Sequence, residues 1–398
     1  MTRTLSPDGL RRLHEAMSAR VAAGRLPGLV TLLARGDEVH VDPIGSADFG
    51  AVPSMHRDTL FRIASLTKPV LAAATMRLVE EGLLALDEPV DRLLPELAGR
   101  RVLVRIDGPL DETVPARRPI TVEDLLTSRM GFGLVTEPTF DPPFPIVRAG
   151  TELRLTLAQP DPRTPHPPDE WLRLFATLPL LDQPGERWRY NVASLVLGVL
   201  VARAGGGSLG DVLRSRLFAP LGMADTGFWT DPVDAARIPA WYMTDPGSGK
   251  LTRQTMSSPQ EWSAPPAFES GAGGLLSTVD DFLTFARLLL DGGVHRGRRL
   301  LSTESVRLIT TNRLTDGQIA DGDPLLAGNG WGYGMGVVVK PDDVSTVPGR
   351  YGWAGGYGTI WVNDPHRELI AIAMTQTSDF LFDGGFAEFV RLAVRAAD

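Results

Sequence analysis

Phe61-Arg62-Ile63-Ala64-Ser65-Leu66-Thr67-Lys68-Pro69-Val70 reads as a short strand running into a long helix, with a serine at the junction. Val70, Leu71, Ala74, Met76, Leu78 and Val79 are good helix formers or apolar at helical spacing, and the run ends at Gly82. That reading places Ser65 in the first helical turn. Positions three apart share a helix face, so the Lys68 ammonium reaches the Ser65 hydroxyl without help from distant chain. Pro69 is tolerated in a first turn, and helix-end amides favour negative charge there. Ser65 is the candidate nucleophile. Ser-x-x-Lys alone is a weak signal: with 19 serines and three lysines in 398 residues, chance gives such a pair about one time in seven. Its bland alternative is an exposed serine beside a solvated lysine. Context elsewhere in the chain decides between them.

Composition narrows the field. A chain of 398 residues, 43% hydrophobic and 22% charged, is an ordinary globular protein with a sizeable core, built as one large domain or two average ones. The absence of cysteine excludes disulfides, thiolate metal sites and a thiol nucleophile. A net charge of −8, with the arginines spread rather than clustered, argues against a nucleic-acid partner. The six histidines show no ligand spacing, so no metal is expected, and no cofactor either. The opening Met1-Thr2-Arg3-Thr4-Leu5-Ser6-Pro7-Asp8 lacks the apolar run of a signal peptide, and no stretch of about 18 apolar residues suggests a membrane span. The expectation is a cytoplasmic protein with no membrane partner. No feature of the sequence specifies an oligomeric state.

Taken in order, Ser6-Pro7 followed by Leu10, Leu13, Met17 and Val21 predicts an N-capped amphipathic helix. Gly28 to Arg35 and Glu38 to Val41, separated by Gly36-Asp37, predict a hairpin. Thr121 opens a short helix. Residues 137–168 are crowded with proline, which blocks regular helix or sheet and suggests a lid, a pocket wall or a plain surface excursion. Tyr190 stands just before an apolar helix from Val192 to Ala204, and Asn191 is placed to cap it. Gly206-Gly207-Ser208-Leu209-Gly210 matches the nucleophile elbow Gly-x-Ser-x-Gly, but a helix precedes it where that elbow needs a strand, and Ser208 reads instead as a helix cap. Helices at Val279 to Leu290 and Thr303 to Thr310 lead into four strand-like runs. These are Gly334 to Val339, Arg350 to Trp353, Gly358 to Val362 and Glu368 to Thr377, an antiparallel meander whose last member, Leu369 to Met374, is apolar on both faces. Phe386 to Ala397 is a final helix. A sheet shared by the two chain ends, with a helical insertion between them, predicts an α/β plus all-α architecture. Residues 1–64 and 271–398 form its sheet part and 65–270 its helical part, within a single unit.

Taken together, Ser65-Leu66-Thr67-Lys68, Arg189-Tyr190-Asn191, Pro220-Leu221-Gly222-Met223 and Gly352-Trp353-Ala354-Gly355-Gly356 resemble the serine β-lactamase and penicillin-binding-protein superfamily. Within it the chain is most similar to class C-like family VIII carboxylesterases. The likeness runs from the first hairpin to Ile370-Ala371-Ile372-Ala373-Met374-Thr375-Gln376 and implies the β-lactamase/transpeptidase-like fold. Two departures matter. The superfamily's Tyr-x-Asn reads Tyr190-Asn191-Val192 here, and its Lys-Thr-Gly reads Trp353-Ala354-Gly355. In lactam-hydrolysing members the missing asparagine and lysine help hold the substrate's amide and carboxylate, whereas Trp353 resembles the tryptophan of the esterases.

A serine hydroxyl needs a base within hydrogen-bond reach, and Lys68 and Tyr190 are the candidates. Free lysine and tyrosine side chains titrate at about 10.4 and 10, so either must fall by roughly three units to serve near pH 7. Desolvation lowers a lysine pKa and raises a tyrosine's, while a nearby ammonium lowers the tyrosine's, so a coupled pair is expected in which Lys68 polarises both hydroxyls. The resemblance implies an oxyanion hole from the backbone N–H groups of Ser65 and Gly356, with Gly355 and Gly356 permitting close backbone approach. Trp353, Trp331, Tyr333, Phe132 and Trp229 are candidates for an apolar acyl pocket, and Asn191 for a substrate contact; core packing is the competing reading for each aromatic. Three function classes follow: a serine esterase or acyltransferase acting on small-molecule esters, a β-lactamase or D-amino-acid peptidase, and a non-catalytic penicillin-binding module. The first is favoured and the second follows it, while the intact Ser65, Lys68 and Tyr190 speak against the third.

Overall fold

The two ends of the chain build one antiparallel sheet in the computed structural model, which describes residues 4–50, 54–135, 137, 143–158 and 164–398. Strands β1 (Gly28–Arg35) and β2 (Glu38–Gly45) form the expected hairpin, its second strand four residues longer than the sequence suggests. Strand Leu369–Thr375 lies on the other side of β1, with Leu32 opposite Ile372 and Ala34 opposite Ile370. Outward from it come Thr359–Asp364, Tyr351–Gly355, Gly336–Val337 and Gly330–Trp331, completing seven strands. Alternate residues of β1 enter two different cores, as the two-residue period of a strand requires. Leu29 and Leu33 pack with Leu13 and Met17 of the helix Pro7–Ala22 and with Phe389 and Val394 of the helix Gly385–Ala397. Val30 and Leu32 face the opposite side, with Phe282 and Phe285 of the helix Val279–Leu290. Coverage of both faces explains why Leu369–Thr375 is buried along its whole length.

The strand before Ser65 behaves differently from the expectation. Phe61–Arg62 does not join the main sheet; it pairs with Leu276–Ser277, more than two hundred residues later in the chain. It leads into a helix, Thr67–Glu80, that is buried over nearly its whole surface. Helix Val192–Gly205 is also apolar all round and buried from Val192 to Val201, which is how a core helix reads in sequence. Among the described residues, no single helix is long and apolar enough to cross a membrane.

Three local expectations need correction or completion. The proline-rich stretch is not devoid of helix, because Pro145–Glu152 forms one with Pro145 at its first position, where the missing N–H costs nothing; Pro138, Pro142, Pro160 and Pro162 lie outside the described residues. Asn191 precedes its helix but makes no side-chain cap, since its backbone has φ +81° and its amide points elsewhere. Ser208 is an exposed cap whose Oγ accepts from the Asp211 N–H, with a helix before it and no strand.

Candidate active site

Ser65 sits in a 3₁₀ turn, Ala64–Leu66, immediately before the α-helix and not in its first turn. Ala64 enters that turn at φ +46°, a conformation that costs a non-glycine residue about 1–2 kcal/mol. The surroundings hold it there. Ala64 packs against Trp241 and Tyr357, the Ile63 N–H donates to Leu275 O, and Thr359 Oγ1 donates to Ile63 O at 3.0 Å. The tighter turn still delivers Lys68 to the serine, with Nζ 3.0 Å from Ser65 Oγ. Nζ also donates to the Ala272 carbonyl at 2.6 Å and stands over the Tyr190 ring, 4.5 Å from its centroid. Lys68 is 1% exposed, and no carboxylate among the described residues pairs with it. A ring face and a carbonyl compensate an ammonium only partly, so burial pushes the amine well below the ordinary lysine value.

Tyr190 is held in an aromatic cage. Its ring contacts Trp188, Trp331 and Trp353, and the last two meet edge to face at 4.6 Å. The Trp353 indole N–H donates to Tyr190 Oη at 2.7 Å, and the same hydroxyl hydrogen-bonds Ser65. The residue as a whole is half-buried, but burial around its hydroxyl pushes the phenol up to about 12, against the opposing pull of the Ser65 and Trp353 bonds. The two candidate bases therefore diverge instead of being lowered together. The Lys68 hydrogen bonds run to Ser65 and Ala272, while Tyr190 presents only its ring to the amine.

Gly355 and Gly356 have separate jobs. Gly355 ends its strand so close to the nucleophile turn that a Cβ there would stand 2.2 Å from Ile63 O and 2.3 Å from Thr359 Oγ1. Gly356 is exposed, and a Cβ there would meet nothing within 4 Å. Its φ is outside the left-handed region, so an L-residue fits. Gly355→Ala is expected to lower the thermal midpoint and any turnover at Ser65, by about 1–3 kcal/mol in stability as for other overpacked sites. Gly356→Ala, which keeps the backbone N–H, should leave turnover within about threefold; parallel melts and rate assays on the two variants check this.

The remaining candidates divide. Phe132 lines a cavity of about 550 Å³ together with Leu134, Ile146, Leu157, Trp241 and Tyr357. Trp241 and Tyr357 also pack on Ala64, so two lining residues lie against the neighbour of Ser65, although Ser65, Lys68, Tyr190 and Trp353 do not line the cavity themselves. Trp331 is fully buried behind Trp353 and Tyr190 and supports them from outside the cavity. Tyr333 is not a pocket residue: it is fully buried, its hydroxyl donates to Glu123 at 2.9 Å and Arg313 stacks on its ring. Trp229 is 41% exposed and lines neither the cavity nor the aromatic cage. Asn191 is 3% exposed and bonded to backbone carbonyls, leaving its amide no part in substrate contact. Trp241, Met256, Ser257 and Tyr357 line the cavity without having been singled out in sequence. Only Tyr357, directly after the glycine pair, carried a positional signal. Among the described residues, no group of three or more His, Asp or Glu could hold a metal ion.

Similarity to known proteins extends along nearly the full chain. Protein Rv1367c of Mycobacterium tuberculosis is 43% identical over 363 residues, covering 89% of this chain and 86% of that one. Esterase EstB of Burkholderia gladioli is 30% identical over 409 residues, covering 97% and 95%. The solved structure of EstCE1, described as a hydrolase with promiscuous acyltransferase activity, superposes with a TM-score of 0.78 at 26% identity, covering 97% of this chain and 98% of that one. The fold is thus β-lactamase/transpeptidase-like, and esterases stand among its relatives. The family model for β-lactamases matches residues 13–395, and the chain belongs to that family of serine hydrolases.

Proposed function

We propose that this protein is a serine carboxylesterase that forms an acyl-enzyme on Ser65, with Lys68 as base and Tyr190 as proton donor. The observation that carries the reading is a continuous hydrogen-bond chain that joins Lys68, Ser65, Tyr190 and Trp353. An indole N–H only donates, so Tyr190 Oη accepts from Trp353, and the same hydroxyl is hydrogen-bonded to Ser65. A carbonyl only accepts, so one Lys68 N–H is committed to Ala272 O. Nζ donates to Ser65 Oγ at 3.0 Å, and once the amine has lost a proton the same contact lets Nζ accept the Ser65 proton. As Ser65 Oγ bonds to the ester carbonyl carbon, its proton passes to Nζ and the carbonyl π pair moves onto oxygen. Backbone N–H groups of Ser65 and Gly356 are the donors for that oxyanion, each worth about 10²–10³ in turnover at comparable sites. Collapse expels the alcohol, which takes the Tyr190 proton; the tyrosinate then takes the proton of the attacking water or second alcohol, and Nζ returns its proton to Ser65 Oγ as the acyl group leaves.

Substrate class follows from what faces the site. Trp353 occupies the position of the lactam-handling lysine and is engaged with Tyr190, while Val192 is fully buried in its helix, so neither offers a partner to a penicillin carboxylate or amide. A neutral ester of modest acyl length suits the apolar cavity. In this reading residues 65–270 and the sheet-bearing remainder act as one catalytic unit, with Tyr190 from the former and Ala272 and Gly356 from the latter. The test compares p-nitrophenyl butyrate with nitrocefin. Ester turnover is expected to exceed lactam turnover by at least about 10²-fold, because a site lacking a polar partner for a charged group discriminates strongly against it. A lactam rate equal to or above the ester rate would overturn the assignment.

A further inference from the structure

The residues on either side of Tyr190 both hold the cavity. Arg189 is 5% exposed and makes a two-pronged bond to Glu137, with Nη2 to Oε1 at 2.8 Å and Nη1 to Oε2 at 3.2 Å, and it also pairs with Asp182. Asn191 donates its amide to Leu157 O at 2.7 Å and Ala158 O at 3.3 Å. The backbone joins in. The Leu134 N–H donates to Tyr190 O at 2.9 Å, and Gly133 runs so close that a Cβ would stand 2.6 Å from Arg189 O. Gly133, Leu134, Leu157 and Ala158 all line the cavity. Asn191 sits at φ +81°, ψ −59°, in a tight turn closed by the Val192 N–H donating to Tyr190 O at 3.2 Å, a conformation uncommon for a non-glycine residue.

We propose that Asn191 is a positioning and specificity-determining residue, tying the cavity wall at Leu157 and Ala158 to Tyr190 so that an acyl chain filling the cavity also sets the Tyr190 hydroxyl. This rests on the esterase reading above and names how that site reads acyl length. A wall suspended from the residue after the proton donor cannot be displaced without disturbing that donor, and displacements on the order of 1 Å cost about 10²-fold in turnover. Binding energy from a part of the substrate remote from the scissile bond is then used for orientation, so chain length registers in kcat as well as KM.

The test is a chain-length series on the full-length protein with p-nitrophenyl acetate, butyrate and hexanoate. Wild type is expected to show kcat rising from acetate to butyrate. Asn191→Gly removes the amide while a glycine accepts φ +81° freely. It should lower kcat on butyrate by about tenfold and kcat on acetate by less than about threefold, leaving chain length visible in KM alone. Asn191→Asp keeps the shape but has no donor for the two carbonyls, should give the same pattern, and carries the test if the glycine variant fails to fold. Equal losses on all three esters, as a merely structural role predicts, or an unchanged butyrate-to-acetate ratio of kcat in both variants, overturns the tether. Wild-type protein that hydrolyses none of the esters and takes no fluorophosphonate on Ser65 overturns the esterase reading itself, and the inference with it.

Discussion

Ser65→Ala is expected to reduce ester turnover by about 10⁶-fold, the loss seen when a serine hydrolase is deprived of its nucleophile. The fold should survive. Ser65 is only half-buried in its turn, and the 3₁₀ geometry is held by Ile63, Ala64 and Thr359 and not by the hydroxyl. Lys68 keeps its bond to Ala272 when Oγ is gone, so the amine is not left without a partner. The stability change should stay near the roughly 1 kcal/mol of one lost hydrogen bond. Two measurements check this together: p-nitrophenyl butyrate hydrolysis beside a thermal melt, and intact-mass analysis after fluorophosphonate treatment. Wild type and Ser208→Ala should each gain one label and Ser65→Ala none. Ser208 caps a helix from an exposed position, so its loss should leave activity unchanged. A labelled Ser65→Ala protein, or an inactive but folded Ser208→Ala, would place the nucleophile elsewhere.

Much of this architecture is legible because its signals are local. Val279–Leu290 and Thr303–Thr310 are each opened by a hydroxyl cap, Thr278 and Ser302, and their boundaries follow from sequence alone. The meander is legible because its strands are joined by short glycine and proline turns. What escapes is set by long-range partners. Phe61–Arg62 looks like any strand, and nothing near it in sequence says that Leu276–Ser277 is its mate. Tyr333 looks like a pocket aromatic until Glu123, 210 residues away, takes its hydroxyl. Asn191 has the composition of a helix cap, yet the wall at Leu157 and Ala158 recruits its amide and the backbone takes φ +81°. Ser65 and Lys68 could be paired from spacing, but which group is the base could not. That depends on the dryness around Nζ and on the one-way indole bond to Tyr190, both of which exist only in the assembled fold.

Lys68→Met should abolish function and strengthen the protein. Loss of the base is expected to cut turnover by about 10⁴-fold, the upper range for acid–base catalysis. The same change removes an amine that folding buries almost completely with no carboxylate partner among the described residues. Because burial holds the folded pKa well below the ordinary lysine value of 10.5, the unfolded chain binds more protons than the folded one between the folded pKa and 10.5. The resulting penalty is fully present below the folded pKa and disappears as pH rises toward 10.5. Methionine has similar length and no charge to desolvate, although it leaves the Ala272 carbonyl without its donor. The net gain at pH 7 should be about 1–2 kcal/mol, typical of replacing a functional residue that the fold accommodates at a cost. Melts of both proteins from pH 6 to pH 10 are expected to converge as pH rises, while the wild-type kcat/KM for butyrate climbs through the lowered Lys68 pKa. Tyr190, held near 12, should impose no fall in rate within that window. If the variant is less stable at pH 7 and the gap stays constant up to pH 10, Lys68 is a stabilised ammonium in the resting protein, and the proton of Ser65 must leave by another route.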